Sequence, residues 1–170
     1  MHEREMVNRL NFLARGFQHS QILFAALRAN VFALLTEPRT AAEVAEARDW
    51  SPRGARMLLD GLVAIDLVEN LGGGRYRNLD VAGTCLIPGC ELDQTHILKH
   101  LSHSYANFAR LDESLKTGGP VRSERDNRSE EELEAFILGM ANLTAAAADA
   151  LEGALDLHGK KRMLDLGTGP

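Results

Sequence analysis

The chain is poor in the features that would assign it quickly. Among its 170 residues there are 2 cysteines, 1 tryptophan and 2 tyrosines. The two cysteines, Cys85 and Cys90, stand in a stretch containing glycine and proline. They form neither a disulfide framework nor a zinc pattern, so they read as free thiols in a reducing cytoplasm. No run of apolar residues is long enough to span a bilayer. The opening Met1 to Arg15 mixes acidic and basic residues among its apolars, unlike a secretory leader. A formal net charge of -5 gives no basic excess of the kind a general nucleic-acid binder carries. There is no internal repeat and no low-complexity tract. With 45% hydrophobic and 25% charged residues, the composition is that of a soluble domain with a proper core.

What is present is mostly helical grammar. Val7, Leu10, Leu13 and Ala14 recur at helical spacing over residues 5–15, and Leu23, Leu27, Val31, Leu34 and Leu35 do so over 21–35. Asn30 is placed to interrupt the second of these, since asparagine tolerates the left-handed backbone that ends helices. Thr40 with Glu43 is a capping box opening a helix to Ala47. Ser51-Pro52 is an N-cap followed by proline at the first helical position, and it opens a helix burying Ala55, Leu58, Leu59, Leu62 and Ile65. Leu67–Leu71 and Arg75–Leu79, joined by Gly72-Gly73-Gly74, read as a hairpin. Helix, helix, hairpin makes a winged helix-turn-helix, spanning about residues 20–82.

Residues 94–115 predict a further helix ending near Gly118-Gly119-Pro120. Ser129 and Glu132 form a second capping box, and the long helix behind it carries Leu133, Phe136, Ile137, Met140, Leu143, Ala147, Leu151 and Leu155. Gly159 is the expected cap of that helix. Met163 to Leu166 then reads as a strand running into the glycine turn Gly167-Thr168-Gly169, the form of a first Rossmann strand and its cofactor turn. The expected fold is therefore mostly α. It has a winged-helix core with a small β-hairpin wing, additional long helices, and the start of a missing α/β Rossmann domain. Residues 1–159 would form the helical module, and 160–170 the linker and first strand.

Two further constellations invite a function. Arg53 and Arg56 on one helix and Arg75 and Arg77 on the hairpin could face DNA. Asp49, Asp60, Asp66 and Glu69 interleave with them, whereas phosphate binding needs uncompensated positive charge. His96, His100 and His103 share one helix face, but no carboxylate or cysteine is spaced to complete a metal set, so they read as pocket-lining or half-exposed side chains. Gly72-Gly73-Gly74 is a turn and not a phosphate loop, since no helix N-terminus follows it.

The order of elements resembles the class I S-adenosylmethionine-dependent O-methyltransferases of the plant-phenolic and bacterial natural-product type. The residues carrying it are Ile22–Leu27 with Val31-Phe32, Thr40–Ala45, Ser51–Leu62, Gly74–Arg77, Phe136 with Gly139-Met140, and Leu164–Pro170. The resemblance implies a module that forms a homodimer and lends helices to an acceptor pocket. The implied pocket residues are His103, Phe108, Phe136 and Met140. It implies an incomplete S-adenosylmethionine site at Asp165, Gly167 and Gly169, with catalytic residues lying beyond Pro170 and none in this chain. The chain itself is expected to bind no cofactor. Its implied partners are its own second copy and a small hydroxylated acceptor, with no nucleic acid, membrane or metal. A stand-alone winged-helix regulator or dimerisation module is the alternative reading.

Overall fold

The computed structural model describes residues 3–90, 92–121, 129–155, 158–162, 164, 166 and 167, with the side chains of 131, 143, 145–149 and 152 left aside. The chain is predominantly helical, with one small three-stranded sheet. It divides into two compact units, Met1–Asp93 and Gln94–Pro170, which are described separately.

The first unit opens with α1, Glu3–Arg28. The two helices expected over residues 5–35 are differently divided. The polar Gln18-His19-Ser20 stretch does not break the helix, because its side chains are accommodated at the surface or partly so. The break comes instead at Asn30, which adopts φ 48° and ψ 44° before the short α2, Val31–Leu34. Arg48 secures that break, its Nη2 donating to the Asn30 carbonyl at 2.9 Å.

α3, Ala41–Arg48, begins at the expected capping box. The Thr40 hydroxyl accepts from the Glu43 amide at 3.3 Å, and Glu43 Oε2 accepts from the Thr40 amide at 2.7 Å. α4, Pro52–Ala64, starts where Ser51 Oγ accepts from the Gly54 amide at 3.1 Å. Satisfying these first amides fixes where each helix starts.

The hairpin forms as β2, Val68–Asn70, and β3, Arg75–Asn78, with Gly72, Gly73 and Gly74 all at positive φ. That conformation is open to glycine and strained for other residues. A two-residue strand β1, Arg39–Thr40, pairs with the far edge of β3, giving the antiparallel order β1-β3-β2. Two residues leave no alternation to read, so β1 has no signature in the sequence. Helix α5, Asp80–Cys85, follows β3.

The core of this unit gathers Phe24, Leu27, Val31, Phe32, Leu35, Val44, Leu59, Leu62, Val68 and Tyr76. Burying these apolar side chains is its main source of stability. Tyr76 is held by more than packing, since its hydroxyl donates to Asp60 Oδ1 at 2.7 Å and ties the hairpin to α4. Burial, followed by this bond to a carboxylate, raises the Tyr76 pKa above the ordinary phenol value. Both cysteines are free thiols, with Cys90 Sγ donating to the Thr84 carbonyl at 2.8 Å.

The second unit is built on α6, Thr95–Phe108, and α8, Glu130–Ala154, with α7, Leu111–Thr117, between them. The single helix expected over residues 94–115 is thus two, because the backbone turns at Ala109-Arg110. The Arg110 amide donates to the Asn107 carbonyl at 3.0 Å, a one-residue tightening that ends α6. The second capping box is formed, with Ser129 Oγ accepting from the Glu132 amide at 3.2 Å and Glu132 Oε2 from the Ser129 amide at 2.9 Å. α8 stops at Ala154, so Gly159 does not cap it. The C-cap is Leu155 in an extended conformation. No helix among the described residues is long and apolar enough to cross a membrane.

Candidate functional site

Two surfaces concentrate what this chain can do, one in each unit. In the second unit α6 and α8 pack side by side. A Cβ added at Gly139 would stand 3.0 Å from Ile97 Cα and 3.2 Å from its nitrogen, so only glycine allows this approach. At the same level Asn142 Oδ1 accepts from the Ile97 amide at 3.3 Å. That side chain supplies the capping acceptor which Gln94, at the N-cap of α6, does not. One turn further along α6, His100 and Phe136 meet with ring centroids 5.2 Å apart and planes inclined at 60°. Such tilted aromatic pairs are attractive through their ring quadrupoles.

These pairings set an antiparallel register, since position rises along α6 as it falls along α8. Extending it places His96 level with Met140 and His103 level with Leu133. The expected pocket residues are therefore spread along a seam and do not form one cluster. Phe136 sits in the middle, Met140 towards one end and His103 towards the other, separated by about 10 Å of helix. Phe136, Met140 and His103 are all half-buried. His103 carries an unanswered polar atom, because its Nδ1 is buried without a hydrogen-bond partner among the described residues. Buried polar atoms normally have a partner, so this one is an exception that stands out.

Phe108 stands apart from these three. It is 73% exposed and lines a different concavity of ≈ 230 Å³ together with Asn107, Leu111, Ser114, Pro120 and Val121. Phe108 is the last residue of α6, and the concavity it lines is completed by residues that follow the turn at Ala109-Arg110, which spacing along α6 does not show.

The second surface is the first two-thirds of α1. Every residue from Glu3 to Arg15 is exposed. Met6, Leu10, Leu13 and Phe17 follow one another at alternating four- and three-residue steps, and the series continues through Ser20 into Phe24 and Leu27. Phe24 and Leu27 are buried in the core of the unit, while Leu10 is 67% and Leu13 65% exposed. A helix thus carries one apolar seam that its own unit covers at one end only. Heptad spacing of this kind is what pairs helices.

Of the expected cofactor residues, Asp165 and Gly169 lie outside the described residues. Gly167 has φ 85°, the left-handed geometry a tight glycine turn needs, and a Cβ added there would meet nothing within 4 Å among the described residues. Leu164 and Leu166 are 82% and 85% exposed, and the described residues of this stretch belong to no strand. The basic side chains of α4 and the hairpin are partly compensated, with Arg56 Nε 3.6 Å from Asp60 and Arg77 Nη2 2.7 Å from Glu69.

Comparison with known proteins gives these surfaces a context. The model of the O-methyltransferase dimerisation domain matches residues 12–88. Acetylserotonin O-methyltransferase of Rattus norvegicus is 32% identical over 170 residues, covering 92% of this chain and 39% of that protein. The 3-hydroxy-5-methyl-1-naphthoate 3-O-methyltransferase of Streptomyces sahachiroi is 30% identical over 167 residues, covering 94% of this chain and 48% of that protein. The crystal structure of human N-acetylserotonin methyltransferase, in complex with SAM, superposes with a TM-score of 0.75 at 29% identity, covering 92% of this chain and 50% of that one. The chain spans about half, or less, of the length of these relatives.

Proposed function

We propose that this chain, whose residues 12–88 match the model of the O-methyltransferase dimerisation domain, is the self-associating, acceptor-facing module of a protein that methylates a hydroxyl group on a small aromatic molecule. The observation that carries the self-association is the seam Met6–Leu10–Leu13–Phe17, left open on α1 by its own unit. A second copy of the chain is the simplest cover for it, because most soluble oligomers are two-fold and symmetric.

In this reading residues 1–159 form the module, with α3, α4 and the β2–β3 hairpin as a winged helix-turn-helix used as scaffold. Residues 160–170 lead into an S-adenosylmethionine domain. Its first turn would hold Asp165, Gly167 and Gly169, where glycines let backbone amides come close to the ligand. The cofactor supplies an electrophilic methyl group on a sulfonium centre. The left-handed φ of Gly167 suits such a turn, and in this reading the catalytic groups belong to the cofactor domain. The protein would work in the cytoplasm, in keeping with two unpaired thiols.

The module's contribution to the reaction is position. The α6–α8 seam offers Phe136 and Met140 to the faces and edges of an aromatic ring, and His103 to a polar substituent. Its length of about 10 Å suits an acceptor of two fused rings. The relatives named for naphthoate and acetylserotonin methylation support an acceptor of that class. Holding the acceptor in one orientation and away from water lowers the barrier without any proton transfer from this chain. The test uses the protein in which this chain continues into its cofactor domain, with S-adenosylmethionine and a hydroxynaphthoate. His103→Ala and Phe136→Ala are expected to raise the acceptor KM and leave the S-adenosylmethionine KM unchanged. An unchanged acceptor KM in both variants removes the seam from the acceptor site.

A further inference from the structure

We infer that Asn142 is a positioning residue for the acceptor. By holding the Ile97 amide it fixes the register of α6 on α8, and with it the choice among acceptors that His103, Phe136 and Met140 can make. The inference rests on the seam being the acceptor site and deepens that reading.

A helix normally satisfies its first amides with the side chain just before it. α6 does not, since Gln94 at its N-cap makes no capping bond. Ile97 is the third residue of that helix, the position whose amide a local cap would serve. Its acceptor comes instead from 45 residues away, Asn142 Oδ1 at 3.3 Å. A local cap moves with its own helix and says nothing about the neighbour. A cap supplied by α8 holds only when the two helices stand at one axial and rotational setting.

Three contacts share that setting. Asn142, Gly139 and Phe136 follow at three-residue steps along α8 and so lie on one stripe. Asn142 and Gly139 meet Ile97, and Phe136 meets His100 one turn on. They resist different displacements. The approach at Gly139 sets how near the helices come, and a tilted ring pair tolerates small slips. A hydrogen bond weakens steeply with distance and angle, so a slide of about 1 Å takes this one out of range. Displacing a positioning group by about 1 Å is enough to cost a reaction up to roughly a hundredfold. Asn142 is therefore the contact that separates one register of the seam from the next.

The experiment uses the protein in which this chain continues into its cofactor domain. It compares kcat/KM for a hydroxynaphthoate with that for a single-ring hydroxybenzoate, which spans less of the seam and feels its register less. Three variants are measured: Asn142→Ala, Asn142→Asp, and Asn142→Ala combined with Gln94→Asp. Melting temperature reports folding in each. The expected result is a naphthoate-to-benzoate ratio lowered roughly fivefold or more in Asn142→Ala, with the S-adenosylmethionine KM unchanged. Asn142→Asp restores the ratio, because its carboxylate oxygen accepts the same bond. Gln94→Asp gives Ile97 a local acceptor, so the combined variant regains melting temperature and not the ratio. Should Asn142→Ala alone fail to fold, the combined variant carries the comparison. A ratio unchanged in Asn142→Ala, or recovered together with melting temperature in the combined variant, makes Asn142 a helix cap only and overturns the inference. The seam reading then still stands on the acceptor KM of His103→Ala and Phe136→Ala, and an unchanged KM in both of those overturns the two together.

Discussion

Gly139 lies so close to Ile97 that a methyl group on it would stand 3.0 Å from the Ile97 Cα. The atom in the way is backbone, so it cannot swing aside as a side chain would. Gly139→Ala should therefore destabilise the second unit despite the better helix propensity of alanine. Overpacking costs about 1–3 kcal/mol and propensity returns up to about 1 kcal/mol. Chemical denaturation followed by circular dichroism measures the difference. A midpoint equal to or above wild type would contradict the close approach of α6 and α8.

Acid should weaken the start of α3. The bond from the Thr40 backbone amide, then that from its hydroxyl, lowers the Glu43 pKa from its ordinary 4.5. A carboxylate with a depressed folded pKa adds stability that is fully present above the unfolded value and lost as pH falls through the folded one. Glu43→Gln should accordingly be less stable than wild type at neutral pH and flatten the decline in melting temperature below about pH 4.5, so that the two proteins converge in acid. Parallel acid limbs in the two proteins would show that the capping box does not titrate with folding.

The chain alone should bind S-adenosylmethionine negligibly. Leu164 and Leu166 are exposed, and the described residues around them belong to no strand. Without neighbouring strands and covering helices, a parallel-sheet strand has no reason to hold a cofactor turn in place. Calorimetric titration should give no saturable heat. A dissociation constant in the micromolar range would mean that the glycine turn is organised within these 170 residues.

Much of the fold was legible because its signals are local. Thr40 with Glu43, Ser51 with Pro52, and Ser129 with Glu132 mark three helix starts, and the structure begins α3, α4 and α8 there. Asn30 announces its own left-handed break. Where the signal is tertiary, the sequence is silent. Nothing in Arg39-Thr40 anticipates a strand that exists only through its pairing with Arg75 and Tyr76. Likewise the turn at Ala109-Arg110 has no proline or glycine to announce it, and it ends α6 at Phe108. The unpartnered His103 Nδ1 and the cap that Asn142 provides to Ile97 depend on packing between helices far apart in sequence. The continuation of the α1 seam from Met6 into the buried Phe24 and Leu27 is visible as spacing, but only the structure shows where cover ends.

The claim that unites these observations is that α1 leaves half of an apolar seam for a second copy. Sedimentation equilibrium of the wild-type chain and of Leu10→Asp with Leu13→Asp tests it most directly. The account predicts twice the 18.6 kDa chain mass for the wild type at micromolar concentration. It predicts the single-chain mass for the double variant, with helicity retained because both positions are exposed in the isolated unit. A wild-type chain that sediments as a monomer, or a double variant that dimerises undiminished, would contradict it.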